Sequence, residues 1–281
     1  MLRPLTFFAA LGACAWLTGT AAGAAFTFTT GAPDGRAGLA SRPATGGLME
    51  IETADDFILG GTTLITGATF TGLIPVGVAL SSINFAGVEL YRVFPNDSVN
   101  PPSGMVPTRV NSPSDNAFAS RDSTMGLTFT TTLLNSSFAV GNSIVNGINK
   151  SPNQVTGGEG PVNGQEVQIN VTFTTPFVLI PTAADQGHYF FKPEAGLTSG
   201  TFLWLSTART VPLFTGDLQA WIRNTNLDPD WLRAGTDIIG GTTFNEAFSL
   251  QGTSIPEPST IALLFGGLAL LACKRRRSDT L

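Results

Sequence analysis

Residues 165–174 read Gln-Glu-Val-Gln-Ile-Asn-Val-Thr-Phe-Thr, with Val167, Ile169, Val171 and Phe173 alternating against Gln168, Asn170, Thr172 and Thr174. Successive side chains of a strand point to opposite faces, so a period of two lays one apolar face on a core and one polar face in water. Other β-rich runs occupy residues 26–30, 48–59, 64–74, 83–94, 127–134, 137–145, 188–192, 201–206 and 247–251, with Gly, Pro, Asn and Asp between them. Ten or so short strands without intervening helical periodicity predict an all-β antiparallel sandwich, of jelly-roll type. The Pro-, Ser- and Asn-rich span 95–123 is too long for a hairpin loop and is expected as an irregular crossover or an ordered surface excursion. One helix of about two turns is predicted, with Leu218, Trp221 and Ile222 on one face behind Asp217 as N-cap. Thr-Phe-Thr-Thr occurs three times at unequal spacing, which is strand composition and not a repeat.

The two ends carry addresses. Arg3, an apolar stretch from Leu5 to Leu17 and the small-residue site Ala22-Gly23-Ala24 form a signal peptide over residues 1–24, so the mature chain is expected to begin at Ala25. Leu11-Gly12-Ala13-Cys14 offers a competing lipobox reading, but Ala15, Trp16 and Leu17 stay apolar where a lipoprotein would begin a polar tether. At the other end, Pro256-Glu257-Pro258 precedes an apolar run from Ile261 to Cys273, followed by Lys274, Arg275, Arg276 and Arg277. Thirteen helical residues rise about 20 Å against a hydrocarbon core of about 30 Å, which suits a temporary stop better than a permanent anchor. The arginines hold the extreme C-terminus in the cytoplasm. The two prolines keep the motif extended at the outer membrane face.

A Pro-Glu-Pro motif, a short apolar helix and a terminal arginine cluster, in that order, resemble the PEP-CTERM sorting tail of exopolysaccharide-producing Gram-negative bacteria, sometimes labelled an ice-binding C-terminal domain. The resemblance covers about a tenth of the chain and divides it into a signal peptide (1–24), a β-sandwich domain (25–253) and a sorting tail (254–281). It implies recognition by an exosortase-type membrane transpeptidase, a precursor held transiently in the inner membrane, and release or attachment at the cell surface or extracellular matrix. Pro256, Glu257 and Pro258 would carry recognition, and Arg275, Arg276 and Arg277 would fix orientation. A permanent single-span anchor is the alternative.

Ahead of the tail the chemistry is thin. Cys14 and Cys273 both lie in targeting segments, so the mature domain has neither disulfides nor thiolate chemistry. Removing Arg3 and the four tail cations from 15 basic residues leaves 10, and removing Glu257 and Asp279 from 20 acidic ones leaves 18, for a net charge of −8. That balance argues against nucleic acid and anionic lipid as partners. His188 is the single histidine, and no serine sits in a G-x-S-x-G elbow, so a triad is unsupported and a structural histidine is expected. Glu89, Glu159, Glu166 and Glu194 are the acids a glycosidase could use, at separations the sequence does not reveal. Glu52 with Asp55-Asp56, and Asp228 with Asp230, are the best calcium candidates, although turn capping is the simpler role; no cofactor is expected. Trp204 and Trp221 read as core, whereas Trp231, beside Asp230 and Arg233, is the candidate ligand contact. The expected function is a non-enzymatic surface or matrix protein. The alternatives are a carbohydrate-binding module acting on exopolysaccharide, then a glycoside hydrolase, and last an ice binder, which would want a regular Thr array.

Overall fold

The computed structural model describes residues 23–149, 155–208, 219–241 and 243–256. Residues 1–22 of the expected signal peptide and most of the sorting tail lie outside the described residues. Strands take 55 % of the described residues and helices 4 %, so the all-β expectation holds. The strands are β1 (Ala24–Thr29), β2 (Pro33–Ala40), β3 (Ile51–Ile58), β4 (Thr63–Ile74), β5 (Ile83–Arg92), β6 (Ala119–Asp122), β7 (Leu127–Val140) and β8 (Asn142–Ile144). They continue with β9 (Val162–Leu179), β10 (His188–Leu197), β11 (Leu203–Thr207), β12 (Trp221–Asn224), β13 (Leu232–Arg233), β14 (Asn245–Glu246) and β15 (Phe248–Ser254).

They form two sheets. The larger runs β1-β15-β4-β11-β2-β8, with β9 and then β7 on the other edge of β4 and β14 on β11. The smaller runs β13-β12-β3-β10-β5-β6. Every pairing is antiparallel except β2 with β8. The alternating segment behaves as its period requires: Val167, Ile169, Val171 and Phe173 of β9 are buried between the sheets. They meet Phe57 of β3, Val88 of β5 and Phe191 of β10 in one core, where Phe191 stacks on Phe248 at 4.9 Å and Phe70 stands edge-on to Phe202 at 5.7 Å. Such offset and edge geometries are the favourable ones for aromatic rings.

Three expectations need correction. Residues 127–134 and 137–145 are not two strands with a gap; β7 runs through to Val140, bulging near Asn135, and β8 follows. β2, rich in Pro, Asp and Gly, was not expected at all and is held by β11 on one side and β8 on the other. The two-turn helix is not formed at Trp221, Ile222 and Arg223, which lie in β12 opposite Ala54, Thr53 and Glu52 of β3. Asp217 and Leu218 lie outside the described residues. Trp221 and Ile222 enter different apolar clusters on opposite faces, so a doubly buried strand mimicked a helical stripe.

The span after β5 is an ordered excursion, as expected, ending in β6. It lies over the outer face of the smaller sheet. Val93 and Ala117 pack there against Tyr91, Phe190, Trp221 and Trp231.

Candidate functional site

The last strand positions the sorting motif. β15 pairs with β1 on one side, from Thr29 opposite Ser249 to Ala24 opposite Ser254, and with β4 on the other. The Ile255 amide donates to Thr62 O at 2.8 Å, and Pro256 is exposed. A Cβ at Gly252 would lie 1.9 Å from Leu64 O, so glycine is what lets β15 close on β4 there. The chain is therefore fixed through Ile255, and the expected mature start at Ala25 lies in the strand beside it. Glu257, Pro258, Arg275, Arg276 and Arg277 lie outside the described residues.

The outer face of the smaller sheet carries an ionic network. Lys192 of β10 is fully buried. Its Nζ lies 2.7 Å from Glu194, 3.3 Å from Glu50, 3.6 Å from Glu89 and 3.7 Å from Glu52. Strand alternation brings this about: Phe191 turns into the sandwich core, so Lys192 turns outward. Glu52 is registered opposite Arg223 of β12 and bonded to its Nε. The Tyr91 hydroxyl lies 2.6 Å from Glu52 and 2.7 Å from Glu89. Burial works against the charge on Lys192, but the four carboxylates, Glu194 foremost, hold its pKa above the ordinary lysine value. Burial raises the Glu194 pKa; Glu52, although buried, is lowered by Lys192 and Arg223.

Two of the four glycosidase candidates, Glu89 and Glu194, thus come together, but around a lysine. One oxygen of each reaches the same Nζ, at 3.6 Å for Glu89 and 2.7 Å for Glu194. The other two are elsewhere. Glu159 accepts from the amides of Val145, Asn146 and Gly147 at 2.8, 2.6 and 2.8 Å and closes its own loop. Glu166 sits on β9, its pKa raised by burial. Glu50, Lys192, Tyr91 and Arg223 were not singled out from sequence. The available signal was a polar or charged residue every second position in otherwise apolar strands, as in Glu89–Tyr91 and Lys192–Glu194.

Trp231 is fully buried and presents no face to solvent. Its ring stands edge-on to Tyr91 at 5.4 Å, the Arg223 guanidinium lies 4.4 Å above it, and its Nε1 donates to Ser114 O at 3.1 Å. Next to it, Asp230 pairs with Arg109 at 2.9 Å, and Arg109 pairs with Asp115 at 3.0 Å. This residue pins the excursion to the sheet. Trp231→Ala is expected to cost about 3–5 kcal/mol, the range for truncating a buried large aromatic, and to open the excursion to limited proteolysis. A loss below about 1 kcal/mol in urea unfolding would contradict that anchoring role.

Asp55 and Asp56 are likewise fully buried, in a central strand. Asp56 lies 3.0 Å from His188 Nε2, and Asp55 accepts the Glu246 amide at 2.8 Å. Asp228 pairs with Arg223 at 2.7 Å. Among the described residues, no group of three or more His, Cys, Asp or Glu side chains is arranged to hold a metal ion.

Asp55 and Glu246 have a different consequence. Burial, then Asp56 for Asp55 and Asp55 for Glu246, pushes both pKa values well above the carboxylate range. Between the ordinary carboxyl pKa and the raised values, the folded protein then binds more protons than the unfolded chain. Their contribution is fully present below the ordinary carboxyl pKa and is lost as pH rises through the raised values. The unfolding midpoint is expected to fall between mildly acidic and mildly alkaline pH, and Glu246→Gln to flatten that fall. A midpoint that rises across the same window in both proteins would contradict the assignment.

A β domain whose last strand leads directly into a Pro-Glu-Pro tail is a domain delivered to a membrane processing step. The PEP-CTERM protein-sorting motif is found at residues 254–277 of this chain, beginning at the final residue of β15. The motif marks an exported protein that is processed at the membrane by an exosortase. No curated protein matches the chain.

Proposed function

We propose that the jelly-roll-like β domain is a non-enzymatic structural or interaction module of the cell surface or extracellular matrix of a Gram-negative bacterium. An inner-membrane precursor is cut at the Pro-Glu-Pro region, and the domain is released or attached outside. The observation that supports a non-catalytic domain is the lysine seated among Glu50, Glu52, Glu89 and Glu194. A hydrolase leaves the gap between its two acids open for the scissile bond and a water or nucleophile. Here both acids are instead paired with one buried cation. The network ties β3, β5, β10 and β12 together, which suits a domain that must persist outside the cell.

The test is to incubate the exported protein with the exopolysaccharide of its own host and to assay reducing ends. No release is expected, while fractionation finds the protein in the surface or matrix fraction. Release of reducing ends that is lost in Glu194→Gln would overturn the reading in favour of a glycoside hydrolase.

A further inference from the structure

Arg42, just after β2, is buried. Its Nε donates to Met49 O at 3.2 Å and its Nη1 to Thr201 Oγ1 at 2.6 Å. A guanidinium carries five N–H donors, so most of its capacity is unused by the protein. The other buried cations, Arg109, Lys192 and Arg223, each have a carboxylate within 3 Å. Among the described residues Arg42 has none within 4 Å. Burial without a counter-charge lowers its pKa, and a buried charge left unpaired is costly.

Arg42 lines a cavity of about 340 Å³ between the loop after β2 and the loop after β10. That volume lies at the small end of ligand sites. The other polar side chains around it are Thr45, Asn84, Thr198 and Ser199, which offer hydroxyls and an amide but no negative charge. The cavity therefore pairs one unmatched cation with several neutral hydrogen-bonding groups.

We propose that this cavity binds a small hydroxylated carboxylate, the chemical class of the sugar acids. Arg42 takes the carboxylate through its planar fork, and the Thr, Ser and Asn side chains face the hydroxyls. A neutral sugar lacks the group Arg42 needs. A bare anion such as acetate uses only the arginine. This site gives a ligand class to the interaction role proposed above, but it rests on the cavity alone and is indifferent to how the tail is processed.

The test is NMR titration of the 15N-labelled exported protein with D-glucuronate, D-glucose and acetate, following the Arg42 Nε–H resonance. A saturable shift is expected with glucuronate, at least tenfold weaker binding with acetate, and no shift with glucose. Arg42→Gln is expected to abolish glucuronate binding. Because that change also removes two internal hydrogen bonds, Asn84→Trp serves as a second variant that crowds the cavity and leaves Arg42 in place; it should weaken binding at least tenfold. Absence of a saturable glucuronate shift, acetate binding as tight as glucuronate, or unchanged affinity in Asn84→Trp would each overturn the proposal.

Discussion

Lys192→Met is expected to destabilise the domain by about 3–5 kcal/mol, the range for removing one partner of a buried ion pair. The side chain is fully buried, and methionine matches its length without its charge. What the substitution leaves behind sets the effect: Glu194 loses the cation 2.7 Å away, and Glu50 and Glu89 lose theirs at 3.3 and 3.6 Å. Glu52 fares better, since Arg223 still holds it. Adding Glu194→Gln to Lys192→Met should therefore recover part of the loss. Urea unfolding of the two variants should also show a smaller deficit at acid pH, where the orphaned glutamates protonate. A Lys192→Met loss under about 1 kcal/mol at neutral pH would mean that solvent already neutralises the cluster.

The larger effect in the cell concerns the tail. Glu257→Ala, or deletion of the matching exosortase, is expected to shift the protein almost wholly from the surface to an uncleaved inner-membrane precursor. The proposed role of the apolar run from Ile261 to Cys273 and the arginines behind it is to arrest export, so a chain that is not cut would stay where it stopped. Changing Arg275, Arg276 and Arg277 to serine weakens the cytoplasmic lock instead, and some chains should pass through uncut. The fold sharpens this picture. β15 is held between β1 and β4 through Ser254, so the Pro-Glu-Pro motif begins two residues beyond a strand paired on both sides. Membrane fractionation of the three strains distinguishes the outcomes. Surface delivery of Glu257→Ala at the wild-type level would contradict the role given to the motif.

The sandwich was legible wherever one face of a strand is wet. β9 keeps its alternation because its outward residues meet solvent, and its period told both the element and the buried face. Strands covered on both sides gave no such signal. β12 is buried throughout, so Trp221 and Ile222 are both apolar and their spacing fits a helix equally well. β2 owes its conformation to the neighbours β11 and β8, and its own Pro, Asp and Gly argue against it.

Charged residues misled for the same reason. Asp55-Asp56 reads as a rim and Trp231 as a loop contact when the layer outside the smaller sheet is not known. Once the excursion after β5 closes over that sheet, Trp231 becomes its anchor. Asp56 becomes the partner of His188. The lysine-centred network requires four strands far apart in sequence to be placed side by side, so only its fragments were visible. Arg42 shows the complementary limit, because its importance lies in a carboxylate that is missing from its surroundings. The tail needed no such information, since its three parts are adjacent in the chain.

Cleavage at both ends is the proposed fate of this chain, and intact mass spectrometry of protein recovered from the cell surface tests it most directly. The expected mass is that of a chain that begins near Ala25 and ends in the Pro-Glu-Pro region, with residues 261–281 gone. A surface protein that still carries Lys274 and the arginines would contradict it and make the tail a permanent anchor.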